Sequence, residues 1–168
     1  MSSRVHRGLV LAAATIALLA VDRVTKLIAM ANLADQSAED YLWGFLRLVY
    51  QENHGAMLSL GAGLPESIRF LFFTVLVLLV LIVLLLFVLF KRTVATKDLI
   101  AAALVLGGGL GNVIDRLLYD GAVLDFLNIG IGELRTGVFN VADVAILAGA
   151  LVFLIGPRTA TPARTSAE

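Results

Sequence analysis

The sequence predicts an all-α integral membrane protein, with four transmembrane helices and a small extracytoplasmic strand or amphipathic segment between helices one and two. Three observations lead there. Of 168 residues, 60% are hydrophobic and only 15% charged. Mean hydropathy is +0.94, well outside the range of soluble domains. The apolar residues also gather into runs long enough to cross a bilayer, which takes roughly 20 residues of helix. The same composition excludes other classes. A formal net charge of zero lacks the basic excess that nucleic acid requires. A chain without cysteine has neither disulfides nor thiolate chemistry. His6 and His54 are too few and too far apart to suggest a metal site, so no metal and no cofactor are expected.

The four expected crossings are residues 8–31, 67–90, 99–118 and 138–156, forming one domain over 1–156 with a disordered cytoplasmic tail at 157–168. In the first, Arg4 and Arg7 precede an apolar run as in a secretory signal peptide, but Asp22, Arg23 and Lys26 sit where such a peptide is short and neutral. An uncleaved anchor fits better. The second, LFFTVLVLLVLIVLLLFVLF, carries no charge and is expected to be the most lipid-exposed, leaving the other three to face one another. Basic residues set the orientation: Arg4 and Arg7, then Lys91, Arg92 and Lys97, then Arg158 and Arg164 all fall on one side, the cytoplasmic one. The opposite side receives 32–66 and 119–137. The first of these loops holds Tyr41, Trp43, Phe45 and Tyr50, and suits a strand or amphipathic piece at the outer headgroup level.

Ionisable groups at membrane depth are costly and usually face protein or water. They cluster here in DRVTK (22–26), ENHGAMLS (52–59), GNVIDR (111–116) with LDF (124–126), and FNVAD (139–143). Asp22 and Lys26 are spaced i, i+4 with the acid first, which suits an ion pair that either ends the helix or shapes the outer end of a site. Gly107, Gly108, Gly109 and Gly111 supply the small-residue spacing of closely packed helices. Asn112 and Asp115 then share a face, and Arg116 beside Asp115 is expected to neutralise it, making Asp115 a buttress.

Asp125 and Asp143 differ in having no basic residue within four positions. Asp143 is expected about 7 Å inside the fourth helix, at 1.5 Å rise per residue, with Asn140 one turn earlier to orient a carboxylate. Brought together in a low-dielectric site, two carboxyls share one proton. The ionised partner can then take a proton from water while the protonated one polarises a scissile carbonyl. Two other readings stay open on spacing alone: separate interfacial aspartates, or a proton or cation relay.

Together the blocks DRVTK, ENHGAMLS, GGGLGNVIDR with GAVLDF, and TGVFNVAD resemble, in order and approximate spacing, those of lipoprotein signal peptidase, or signal peptidase II. The resemblance runs from Asp22 to about Ile146. It implies a four-helix aspartyl endopeptidase of the bacterial inner membrane, monomeric, with both termini cytoplasmic and its active site near the outer leaflet. Such an enzyme needs no cofactor and removes the signal peptide of diacylglyceryl-prolipoproteins just before the lipidated cysteine. It implies Asp125 and Asp143 as the catalytic dyad, Asn53, Asn112, Arg116 and Asn140 as the polar surround of substrate, and Asp22, Lys26 and Asp115 as supporting groups. The departures are Met57 and Leu58 where the family usually has alanine and phenylalanine, Arg23 where glutamine is common, and a turn before Asp125 one residue longer than in many relatives. A small transporter or proton channel would need polar groups across the membrane, yet 8–19 and 146–155 hold only Thr15. A non-cleaving scaffold that binds lipoprotein precursors is the third alternative.

Overall fold

The computed structural model describes residues 3–56 and 60–155, and side chains from Arg4 onward. The Met57 and Leu58 departures, and the tail expected at 157–168, lie outside the described residues. Helix α1, Ser3–Leu33, is followed by strands β1, Glu39–Tyr41, and β2, Leu46–Asn53. The next helix begins as α2, Glu66–Phe70, passes through a π-helical stretch, Leu71–Leu76, and continues as α3, Val77–Phe90. Then come α4, Thr96–Leu118, strands β3, Val123–Ile131, and β4, Leu134–Arg135, and finally α5, Val141–Ile155.

Three helical stretches, Arg4–Leu33, Glu66–Phe90 and Thr96–Leu118, are long and apolar enough to cross a membrane. The fourth expected crossing begins later than read from sequence, since α5 starts at Val141, and its 15 described residues run to Ile155. Residues 138–140 are not helical: Phe139 bridges to Leu127 of β3, and Asn140 immediately precedes the helix. The apolar run at 138–156 thus contains a piece of extended chain that hydropathy cannot separate from helix.

The all-α description holds for the helices, and the strand segment beside them is larger than expected. Four antiparallel strands form a sheet in the order β1-β2-β3-β4. A strand was expected within 32–66, and β1 and β2 lie there. The loop at 119–137, read as an outer turn, instead supplies the central strand β3, which pairs with β2 across some seventy residues of sequence. Pairing partners so distant leave no local periodic signal.

Helix α4 is the hub, packed against α1, α3 and α5. Its glycines make that possible: a Cβ on Gly108 would stand 2.5 Å from the Ala142 carbonyl of α5, and one on Gly111 would stand 2.5 Å from Asp22 of α1. Leu11, Leu81, Val88, Ala102, Ala103, Leu106 and Val113 form the core between α1, α3 and α4. A second cluster of Ala29, Leu33 and Phe126 seats the sheet on the C-terminal end of α1, with Leu48 and Tyr50 packed against it. The first span is as exposed as the second, so the second does not stand apart as the lipid-facing one.

Candidate active site

The site is built where the end of α4, the middle of α1, the start of α5 and the β2–β3 pair converge. Its organising residue is Asn140. As N-cap of α5, its side-chain oxygen accepts the Asp143 amide at 2.9 Å, while its own amide donates to Asp143 Oδ2 at 3.1 Å. This reciprocal arrangement is a capping box, and it places Asp143 in the first turn rather than 7 Å along the helix. The Asn140 side-chain NH2 is left to donate to Asp125 Oδ1 at 2.7 Å, and reaches Asn112 Oδ1 at 3.2 Å. Asn140 therefore donates to both carboxylates, to Asp125 from its side chain and to Asp143 from its backbone.

Asp125, third residue of β3, is almost fully buried. Its other oxygen accepts from Asn53 Nδ2 at 2.9 Å. Asn53 is itself held by an Asx-type turn, taking the Gly55 amide at 2.9 Å and donating to the Ala56 carbonyl at 3.1 Å. Burial pushes the Asp125 carboxyl up to about 7, helped by the nearby Asp143 charge and opposed by the Asn53 and Asn140 hydrogen bonds. Asp143 Oδ1 accepts from Asn112 Nδ2 at 2.9 Å. Both aspartates line one cavity of about 180 Å³ together with Asn53, Asn112, Arg116 and Phe73.

Behind this pair lies a buried ionic cluster. Lys26 Nζ sits 2.8 Å from Asp22 and 2.8 Å from Asp115, and donates to Asn112 Oδ1 at 3.1 Å. Asp22 also accepts the Ala142 amide at 3.0 Å, so α1 helps cap α5. Asp115 accepts the Leu124 amide at 3.2 Å, fixing the backbone one residue before Asp125. Its ionic partners are Lys26 and Arg23, not Arg116 as expected from adjacency. Neighbours in a helix point about 100° apart, and Arg116 turns toward the cavity. There it donates to the Gly55 carbonyl at 2.8 Å and lies over the Phe73 ring at 5.7 Å. Its Nε is buried with no hydrogen-bond partner among the described residues.

A family model described as Signal peptidase (SPase) II matches residues 14–157. The chain belongs to the signal peptidase II family. A lipoprotein signal peptidase of Syntrophus aciditrophicus (strain SB) is 34% identical over 137 residues, spanning 82% of this chain and 84% of its own. One from Sphingopyxis alaskensis is 35% identical over 149 residues, 88% of this chain and 82% of its own. Among solved structures, a bacterial membrane enzyme determined by the in meso method at 1.9 Å resolution superposes with a TM-score of 0.75 at 25% identity, covering 90% of this chain and 94% of that one. Another, at 2.3 Å, gives 0.74 at 26%, over 87% and 85% of the two chains. The protein is thus a peptidase, with the apolar helices of a membrane enzyme.

In this signal peptidase II chain all nine residues singled out from the sequence converge on one region. Sequence reasoning gave Arg23 no place in the site, although it is a charge at membrane depth and a departure from the family. The signal was present: a second cation beside Lys26 at membrane depth requires a second anion, and Asp115 supplies it. Phe73, beneath Arg116, lay hidden in a long uncharged run.

Proposed function

We propose that the protein is an aspartyl endopeptidase of the bacterial inner membrane that removes the signal peptide from diacylglyceryl-modified prolipoproteins just before the lipidated cysteine. The observation that carries the reading is that two aspartates, both hydrogen-bonded to Asn140, Asp125 through its side-chain NH2 and Asp143 through its backbone N–H, line one small, largely apolar cavity. Carboxyls so placed share one proton, and the pair titrates as a unit, so acid and base are not assigned individually. A water between them gives its proton to the ionised carboxylate, and its oxygen attacks the scissile carbonyl carbon. The protonated partner gives its proton to the carbonyl oxygen. When the resulting diol collapses, the ionised carboxylate takes a proton from one diol hydroxyl while the protonated one gives its proton to the departing cysteine nitrogen as the C–N bond breaks.

In this reading Asn53, Asn112 and Asn140 orient the carboxylates. Arg116 presents its unpaired Nε to a substrate carbonyl. The chain crosses the membrane four times, α5 completing the last crossing, with both termini cytoplasmic and the cavity near the outer leaflet. The β1–β2 segment lies over a peptide that enters sideways from the lipid, and the enzyme works as a monomer.

The test is cleavage of a diacylglyceryl-prolipoprotein by the purified protein in detergent, comparing wild type with Asp125→Asn and Asp143→Asn. Wild type should cut before the lipidated cysteine, and each folded variant should lose at least about a thousandfold in rate. Binding without cutting by wild type would make the chain a scaffold. Neither binding nor cutting would send the reading back to ion conduction.

A further inference from the structure

Arg23 projects from α1 toward the end of α4. One guanidinium nitrogen, Nη1, pairs with Asp115 Oδ1, and the other, Nη2, donates to the Tyr119 hydroxyl at 3.1 Å, with the group 5.7 Å over the Tyr119 ring. The Arg23 side chain is 20% exposed, whereas Asp115 is fully enclosed. Asp115 in turn accepts the Leu124 amide at 3.2 Å. The Leu124 carbonyl accepts from Asn140 at 3.3 Å. The residue before Asp125 is therefore clamped at both ends, and the amide side of the clamp is an anion held by Arg23 and Lys26.

We infer that Arg23 is a positioning residue for Asp125, acting through Asp115 and the Leu124 amide, and that its charge balances the buried cluster behind the aspartate pair. This rests on the aspartyl-protease reading above. The balance can be followed group by group. Asp22 and Asp115 oppose Lys26 and Arg23, two anions against two cations. Without Arg23 the cluster carries a net negative charge one residue from Asp125. The other charged or titratable groups facing it are Tyr119 at the end of α4, Tyr50 of β2 and, across the site, Arg116 and Asp143. None of these supplies a compensating cation to Asp115, since Arg116 is committed to the Gly55 carbonyl and the cavity. Arg23 does not line that cavity, so its loss should leave substrate contacts in place.

The variants are Arg23→Gln, which keeps a hydrogen-bonding head without charge, and Arg23→Lys, which keeps charge but loses the planar fork whose two separate nitrogens reach Asp115 and Tyr119 and stack on the Tyr119 ring. Rates are measured against pH with a diacylglyceryl-prolipoprotein, and folding is followed by thermal unfolding in the same detergent. Arg23→Gln should lower kcat by about tenfold with KM within about twofold. Its pH–rate profile should move to higher pH by a few tenths of a unit to about one unit, because a lost cation favours the protonated pair. Arg23→Lys should lower kcat while holding the wild-type profile. A folded Arg23→Gln with wild-type kcat and profile would overturn the inference, as would one that raises KM without moving the profile. Should Arg23→Gln fail to fold, Arg23→Lys decides: wild-type kcat there sinks the positioning role. If wild type does not cleave, or Asp125→Asn stays active, the aspartyl reading itself fails, a result distinct from indifferent Arg23 variants.

Discussion

A carboxyl taken out of water resists ionising, and Asp125 shows the consequence: its ordinary value of 3.8 is raised to about 7, chiefly by burial. The folded chain therefore holds a proton that the unfolded chain has already lost between about pH 4 and pH 7. The stability associated with that proton is fully present below the unfolded value and is lost as pH rises through 7. Wild type in detergent should accordingly unfold at lower temperature at pH 8 than at pH 5, and Asp125→Asn, neutral throughout, should remove much of that difference, a matter of a few kcal/mol. A pH-independent gap between the two proteins would speak against a buried acid. Asn140 separates two roles in one side chain. Serine is also a good N-cap but is too short to reach Asp125. Asn140→Ser should keep thermal stability within about 1 kcal/mol of wild type while cleavage falls by about tenfold or more. Equal loss of both would mean that the amide serves the helix alone.

At the scale of elements, the approach of α4 to its neighbours depends on missing side chains. In Gly108→Ala the added methyl would stand 2.5 Å from the Ala142 carbonyl and 2.9 Å from Ile146. Since Ala142 adjoins Asp143, overpacking here should cost about 1–3 kcal/mol in unfolding measurements and displace the carboxylate, lowering cleavage further than stability explains. Gly63, with nothing within 4 Å of an added Cβ, is the control, and Gly63→Ala should stay within about 0.5 kcal/mol. The helices were readable from hydropathy because a span must be apolar for its whole length. Strand β3 was not, since VLDFLNIGI gains its identity from pairing with β2 and from the burial of both faces at its start. The start of α5 was likewise invisible until the capping box between Asn140 and Asp143 placed it.

For the whole molecule, the proposed orientation puts the sheet at the outer headgroup level and makes checkable demands on its exposed residues. Trp43, the one tryptophan of the chain, is fully exposed at the β1–β2 turn with Leu42 beside it, and Ile131 and Leu134 are exposed on the neighbouring hairpin. Apolar residues left bare on a membrane protein belong against lipid. In lipid vesicles the Trp43 emission should be blue-shifted and quenched by lipids brominated near the headgroup, and hardly quenched by iodide in the buffer. The reverse pattern would lift the sheet clear of the membrane. Because the chain has no cysteine, orientation can be read with single introduced thiols. Asp35→Cys should react with an impermeant maleimide from outside intact spheroplasts, and Arg92→Cys only after lysis.

By itself the sequence determined the apolar, membrane-type composition, the long spans and the set of polar residues worth watching. These follow from composition and from local order along the chain, where the cost of polarity in hydrocarbon leaves a plain mark. Tertiary structure alone decided which charges meet. Arg116 stands next to Asp115 in sequence but points into the cavity, while Arg23 and Lys26, on another helix, complete the cluster. It also decided that Asp125 lies on a central strand and Asp143 in the first turn of a helix, both bound to Asn140. Pairing across distant residues depends on the packing of α1, α4, α5 and the sheet, and such packing leaves no periodic trace in one chain read in order.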